Sequence, residues 1–509
     1  MIYLEIEGHK YIKAVEDLVR AFFKCSKIKI YNNGAATENF RANPSGEEDI
    51  FIKSIVSSTF EIKAKVYNAA GKCLEKDSIY ERPSGYSNPI FGGRKSWVKG
   101  KKELHFRNAI KRTLYDVLWE YSEKKLPWGI LTGIRPASIA VEYIRKNIPR
   151  EEIIKDLEEE YYITREKAEL LCSVAEYEVK ILRRTPEKSV SLYIGIPFCL
   201  SRCLYCSFIS QEGTKSHAAD EYLDALEKEL KAVGGIFRNY ERKVQSIYIG
   251  GGTPTALSHE QLQKLFRMIH ANIDMKSMEE FTFEAGRADT VTYKKLSAAK
   301  KAGVTRLCIN PQTMNDETLR RIGRRHSAED VKIAFEIARK VGFENINSDL
   351  IIGLPGETAA MFQNTLDEMQ KLKPDGITVH SLSVKRAAAL RSDLFIDDSI
   401  TEKMYDLSIQ YAQMLGFVPY YLYRQKNMAG DLENIGFCLK GKESIYNIQI
   451  MEEKQTIVAA GAGGISKFYF PDENRLERVA NVKIAEDYIA RNAEMIKRKI
   501  DFIDEHDWK

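Results

Sequence analysis

Residues 189–206 read Ser189-Val-Ser-Leu-Tyr193-Ile-Gly-Ile-Pro-Phe-Cys199-Leu-Ser-Arg-Cys203-Leu-Tyr-Cys206, a short apolar run, a proline, and then three cysteines spaced C-x3-C-x2-C. A run of this length closed by proline predicts a buried strand, and it puts the cysteines in the turn beyond the strand's C-terminal end. The same texture repeats downstream. Strands are predicted over 190–196, 246–249, 280–284, 306–309, 345–352 and 376–382, with amphipathic helices over 219–234, 258–273, 292–302, 328–341 and 360–371. Six β/α steps imply an α/β fold with a parallel sheet and helices outside, because parallel strands need long crossovers. In barrel-like sheets of this kind the chemistry gathers at the C-terminal ends of the strands.

Upstream, residues 1–9 and 58–68 alternate apolar and polar side chains as half-buried strands do. From His105 to Glu123, Ile110, Leu114, Val117, Leu118 and Tyr121 recur at helical spacing. The turn Trp128-Gly-Ile-Leu-Thr-Gly-Ile-Arg-Pro136 interrupts the helical part. The polar stretch Arg183-Arg-Thr-Pro-Glu-Lys188 marks a boundary. Three parts are therefore expected: an α+β domain over 1–184, a core over 185–395, and a smaller domain over 396–509. The last contains Tyr420, Tyr421 and Tyr423, read as strand packing, a Gly461–Gly464 turn and a closing helix.

The chain has 509 residues, 44% hydrophobic and 29% charged, which suits a globular protein with a sizeable core. Lys and Arg number 77 against 72 Asp and Glu, a balance of +5 that calls for no nucleic-acid partner. The N-terminus Met-Ile-Tyr-Leu-Glu-Ile-Glu-Gly lacks the pattern of a signal peptide, and no uncharged apolar stretch reaches about 18 residues. We expect a cytoplasmic protein without a membrane span, a monomer whose eight cysteines are reduced. Cys25, Cys73, Cys172, Cys308 and Cys438 lack ligand spacing and are expected to be small buried residues.

Cys199, Cys203 and Cys206 differ. Three soft sulfur donors in one compact loop suit a 4Fe-4S cluster with one iron left open. Zinc is the structural alternative, but it would want a fourth local Cys or His, and His217 stands in no such pattern. After the next strand comes Gly250-Gly-Gly-Thr-Pro-Thr255, either a plain turn or a cradle where backbone approaches a ligand closely. Later strand ends supply Glu284, Gln312, Arg324 and Asp349. A carboxylate such as Glu284 can pair with an ammonium, and Asp349 can accept from hydroxyls.

With its three cysteines, the sequence resembles radical SAM enzymes, whose fold is a partial (β/α)6 TIM-like barrel. In these the cluster binds S-adenosylmethionine (SAM) and delivers one electron to it, making a hydrogen-abstracting radical. Within them, Tyr193-x-x-Ile-Pro-Phe-Cys-x3-Cys-x2-Cys, Gly-Gly-Gly-Thr-Pro-Thr, Pro-Gln-x11-Arg and Asp-Leu-Ile-Ile-Gly-Leu-Pro-Gly-Glu-Thr together resemble the oxygen-independent coproporphyrinogen III oxidase family over about residues 189–470. The N-terminal extension with Trp128–Pro136 resembles the HemZ branch. The resemblance implies oxidative decarboxylation of two propionates of coproporphyrinogen III to vinyl groups in haem biosynthesis, with two SAM molecules and an electron donor such as flavodoxin or ferredoxin. It implies Tyr193, Gly251 and Glu284 as contacts to the SAM on the cluster. Tyr205, Gly252, Thr253, Gln312, Arg324 and Asp349 match contacts to a second SAM, with Ser383 loosely aligned beside them.

The chain departs from the oxidase pattern in two ways. Ser207 and Phe208 follow Cys206 where the oxidase has a fourth nearby cysteine, and Gly195 replaces a histidine before the cluster. Sister branches with that Phe include haem chaperones, so a haem chaperone or haem-binding protein of the same fold, or radical SAM modification or degradation of another tetrapyrrole, is the alternative reading. The chaperones' His-Asn-x-x-Tyr-Trp signature is absent; Glu433-Asn-Ile-Gly-Phe-Cys438 stands in its place.

Overall fold

The structure is a computed structural model that describes residues 1–23, 27–32, 49–68, 70–80, 95–206, 211–212, 216–383, 397–425, 432–506 and 508. Cys25, Ser207, Phe208 and the expected boundary at 395/396 lie outside the described residues. The chain divides into two compact units, Met1–Ala175 and Glu176–Lys509, where the sequence suggested three parts. The first division falls earlier than expected, within helix Arg165–Arg184.

In the first unit, β1 (Ile2–Glu7), β2 (Ile28–Asn32), β3 (Ile50–Val56), β4 (Glu61–Asn68) and β5 (Cys73–Ile79) form one sheet in the order β2-β1-β3-β4-β5. The strand period of two sends Leu4, Ile6, Ile52, Ile62, Ala64 and Val66 to one face, against Val15, Leu18 and Val19 of helix Ile12–Phe23. Ile110, Leu114, Val117 and Leu118 of helix Lys95–Ser122 complete that core, as their spacing predicts. The turn after this helix is packed within the unit. Trp128 is buried, and a Cβ on Gly129 (φ 51°) would lie 2.1 Å from the Tyr161 carbonyl oxygen. Cys73 is exposed, contrary to expectation, because it opens an edge strand; Cys172, Cys308 and Cys438 are buried.

The second unit continues with β6 (Ser189–Ile196), β7 (Phe198–Cys199), β8 (Gln211–Glu212), β9 (Lys243–Gly251), β10 (Glu280–Glu284), β11 (Arg306–Cys308), β12 (Ile346–Ile352) and β13 (Gly376–Ser381). These are followed by β14 (Val418–Tyr423), β15 (Asn434–Cys438), β16 (Thr456–Ala460), β17 (Ile465–Phe470) and β18 (Arg475–Ala480). The six predicted core strands are β6 and β9–β13, and all pair in parallel. The fold class is thus α/β with the expected half-open barrel. Helices supply the crossovers, and His259–Asn272 and Ala328–Val341 each open on a serine capping box, worth about 1 kcal/mol apiece.

The sheet does not stop at six strands. Its order is β14-β15-β13-β12-β11-β10-β9-β6-β16-β17-β18, so residues after 397 extend it at both ends. β16 lies parallel to β6, with Val190 opposite Thr456, while β15 runs antiparallel to β13. The C-terminal segment therefore shares the core's sheet. The tyrosine run forms β14, as strand packing predicts. Among the described residues no helix is long and apolar enough to cross a membrane.

Candidate active site

Alternation along the parallel strands gives the sheet two unlike faces. Leu192, Ile247, Phe281, Phe283, Leu307 and Ile346 are buried on the helix side, where Phe266 of helix His259–Asn272 packs edge-on to Phe281 and Phe283. The other face presents Tyr193, Tyr248, Thr282, Glu284, Arg306, Cys308, Asn347, Asp349, Thr378 and His380. Polar groups so arranged on a covered face must satisfy one another or a ligand.

The cysteine loop leaves the end of β6 as predicted. Cys199, Cys203 and Cys206 form no disulfide and are half-buried. The loop is pinned on several sides: Gly252 N–H donates to the Ile196 carbonyl at 2.8 Å, Thr253 N–H to Phe198 at 2.7 Å, and Leu204 N–H to Ile322 at 3.0 Å. Buried Arg287 donates to the Ser201 hydroxyl at 2.5 Å, between the first two cysteines, while Asp289 takes its Nε and other guanidinium nitrogen. Among the described residues no three His, Cys, Asp or Glu side chains form a group that could hold a metal ion. A 4Fe-4S cube asks for something else, one thiolate per iron spread around its corners. Three soft donors fit that demand, and so does the bare wall beside them. A Cβ on Gly252 would lie 3.0 Å from Cys199 Sγ and 2.5 Å from the Phe198 carbonyl oxygen.

Gly251 takes φ 111°, and a Cβ there would press on Ile196 at 3.1 Å and on the Tyr193 hydroxyl at 3.4 Å. A Cβ on Gly250 would meet the Glu284 carboxylate at 3.0 Å. The glycine run therefore packs closely against Tyr193 and Glu284, which the resemblance groups with Gly251. Glu284 accepts a hydrogen bond from the Tyr248 hydroxyl. Burial pushes its acid up to about 7; the Tyr248 hydrogen bond opposes this, the Asp349 charge adds to it, and the Gly251 N–H and Arg306 oppose it further. Beneath, Tyr193, Tyr248 and Tyr446 stack, with the Tyr248 and Tyr446 centroids 4.5 Å apart. Tyr446 belongs to helix Ile445–Glu452, whose start is held by Glu280: its carboxylate accepts from Ile445 N–H at 2.6 Å and from the Ser444 hydroxyl at 3.0 Å.

The second implied group is also assembled in part. Buried Arg324 donates to the Tyr205 hydroxyl at 3.1 Å and to the Asn310 carbonyl at 2.7 Å. Gln312, at φ 69°, receives its place from β12, donating its N–H to the Asp349 carbonyl at 3.0 Å. Thr253 Oγ1 lies 3.5 Å from Cys199 Sγ. Burial pushes the Asp349 acid up, but His380 at 3.8 Å, Arg306 and Thr378 outweigh it and hold the group below the usual range. Ser383, two residues past β13, is half-buried.

Sequence reasoning passed over Tyr248, Arg306, His380 and Tyr446. Alternation within β9 and β13 would have placed Tyr248 and His380 on the polar face; nothing local marks Tyr446. Arg306 is buried, with Nη1 3.2 Å from Cys308 Sγ. A cavity of about 530 Å³ lies elsewhere, at the strands' N-terminal ends, lined by Arg184, Glu280, Lys300, Thr305, Asn345 and Ile445 among others.

Comparison with known proteins shows the chain's relatives. Residues 193–369 match the model of the radical SAM superfamily. The chain is 38% identical over 410 residues to the oxygen-independent coproporphyrinogen-III oxidase-like protein HemZ of Bacillus subtilis (strain 168), covering 78% of this chain and 81% of that one. It is 42% identical over 196 residues to the heme chaperone HemW of the same organism, covering 38% of this chain and 51% of the chaperone. Among solved structures, coproporphyrinogen III oxidase (HemN) of Escherichia coli shares the fold, with a TM-score of 0.51 and 24% identity over 63% of this chain and 73% of that one. Strand order, cysteine loop and a likeness sustained over most of a relative's length lead to one assignment: the chain belongs to the radical SAM superfamily and, within it, to the family of HemZ, the coproporphyrinogen-III oxidase-like proteins.

Proposed function

We propose that the chain is a radical SAM oxidoreductase that decarboxylates two propionates of coproporphyrinogen III to vinyl groups, yielding protoporphyrinogen IX. The observation that carries this reading is the 81% span of the HemZ relative matched at 38% identity. Cys199, Cys203 and Cys206 would hold three irons of a 4Fe-4S cluster and leave the fourth to the amino and carboxylate groups of SAM. When bound, that pair supplies the removal of a hydrogen atom from a propionate β-carbon, after which carbon dioxide and one electron leave the substrate.

The chain's own residues bind, orient and exclude water. The side-chain-free run Gly250–Gly252 lets backbone N–H groups reach a carboxylate. Ionised Glu284 takes an ammonium, and its attraction is strong because burial lowers the local dielectric. Tyr193, stacked on Tyr248 and Tyr446, closes the base of the site. Asp349, kept ionised by His380 and Arg306, accepts from ribose hydroxyls. Arg324, Tyr205, Gln312, Gly252 and Thr253 form the rim of a second nucleoside site.

The likeness to a heme chaperone over half that protein's length favours a second reading, retention and delivery of haem on the same fold. One experiment separates them. Anaerobic incubation of the cluster-loaded chain with SAM, reductant and coproporphyrinogen should release protoporphyrinogen and two carbon dioxide per ring, read by pigment mass. SAM cleavage without that product rejects the substrate, and stoichiometric haem retention without SAM turnover supports the chaperone.

A further inference from the structure

The cysteine loop turns an apolar and basic surface outward. Leu200 and Leu204, which follow Cys199 and Cys203, are 39% and 36% exposed, and Arg202 between them is exposed as well. The segment after helix Asp316–Arg321 lies directly against this loop. Leu204 N–H donates to the Ile322 carbonyl at 3.0 Å, and a Cβ on Gly323 would meet the Arg202 carbonyl oxygen at 3.3 Å and Leu204 Cγ at 3.4 Å. That segment adds Arg320, Arg321 and Arg325, all exposed, while Arg324 turns inward to Tyr205.

Exposed Arg202, Arg320 and Arg325 thus lie on the segments that carry or pack against the two exposed leucines. Acids on the same segments offset part of this charge. Glu317 pairs with Arg321 at 2.7 Å, and Asp316 is occupied in receiving the Ala328 N–H at 2.8 Å. The chain's overall balance of +5 gives no reason for such a local excess. Two leucines on a surface with exposed arginines match what short-lived redox encounters use, a small apolar contact with charges that steer the partner.

Its location gives the surface a use. An electron entering the three-thiolate site has to arrive where those thiols come nearest to solvent, and the leucines are their immediate neighbours in the chain. We propose that Leu200, Arg202, Leu204, Arg320 and Arg325 form the docking surface for an acidic one-electron carrier protein, which rests on the reading of Cys199, Cys203 and Cys206 as ligands of a redox cluster. The carrier is oxidised by one electron and the cluster is reduced by one; no atoms are exchanged. Steering by opposite charge speeds association and is screened by salt.

The test uses the full chain with its cluster reconstituted, two reductants, and stopped-flow bleaching of the cluster absorbance. In the Arg202→Glu/Arg325→Glu variant, the second-order rate with a reduced acidic flavodoxin should fall about tenfold or more and lose its dependence on ionic strength. Reduction by dithionite, and iron and sulfide content, should stay at the wild-type level. Leu200→Ser should weaken the flavodoxin reaction with its salt dependence intact. A flavodoxin rate within about twofold of wild type in the arginine variant would overturn the surface. So would a parallel loss of iron, which would make the arginines supports of the loop. If the wild-type chain takes up no iron and sulfide at all, the cluster reading itself fails, an outcome visible before any carrier is added.

Discussion

The Tyr248 hydroxyl donates to the Glu284 carboxylate, and through that contact a ring stacked on Tyr193 and Tyr446 controls the acid at the mouth of the sheet. Glu284 ionises near 7 here and near 4.5 when free of the fold. A cationic ligand should therefore bind more tightly as pH rises through about 7. Removing the donor with Tyr248→Phe takes away support for the ionised form. The midpoint of SAM binding, read by equilibrium dialysis across pH, should move up by about 0.5–1 unit. An unmoved midpoint would release Tyr248 from this role.

The same acid has a stability signature. Between its free and folded values the folded chain holds the extra proton, so stability declines as pH rises from the carboxylate range through about 7. Glu284→Gln cannot titrate. It should match wild type at about pH 5 and exceed it by on the order of 1–2 kcal/mol at about pH 8, while losing affinity for SAM. Thermal melts at the two pH values check the sign.

Cys203→Ala should abolish the brown chromophore and the bound sulfide and leave the unit Met1–Ala175 folded. Iron and sulfide assays with circular dichroism measure both. Retained cluster absorbance would remove Cys203 from the ligand set.

Gly252→Ala should behave similarly for a steric reason, since its methyl would sit 2.5 Å from the Phe198 carbonyl oxygen and 3.0 Å from Cys199 Sγ. Gly235→Ala is the control. Gly235 lies in helix Ser216–Asn239 with nothing near its Cβ position, and the change should stabilise by about 0.5–1 kcal/mol without loss of iron. Equal iron contents in both variants would deny Gly252 its place in the cradle.

Lys499 and Glu229 form a fully buried pair at 2.6 Å, and Glu229 also receives the Gly461 N–H at 2.7 Å and the Tyr488 hydroxyl. Lys499→Met strands a buried carboxylate and should cost about 3–5 kcal/mol, whereas Lys499→Met with Glu229→Gln should recover part of that. Urea midpoints for the two variants decide the matter. The effect should reach the cysteine loop, because Tyr222 ties the next turn residue, Ala462, at 2.8 Å to the Gly195 carbonyl at 2.6 Å.

The sequence reading found what is local and missed what is distant. The six core strands were legible because one face of each must be apolar to meet its helices, and the cysteine triplet because its spacing is short. The glycine run was ambiguous by itself; it is the nearness of Glu284 and Cys199 that supports reading it as a cradle. Tyr446 was illegible because its position depends on Glu280 capping a helix far along the chain. The division into core and C-terminal parts missed the pairing of β16 with β6, since parallel pairing between remote segments leaves no periodic trace. Nothing local marks Lys499 for burial, since its partner Glu229 lies far away in the chain.

That remote pairing carries a consequence for assembly inside a cell. Strand β6, which delivers Cys199, has Val190 opposite Thr456, so it lacks one of its two neighbours until the ribosome has made residues in the 450s. Metal delivered to a nascent chain before then would meet a loop whose foundation is half built, which favours loading after release.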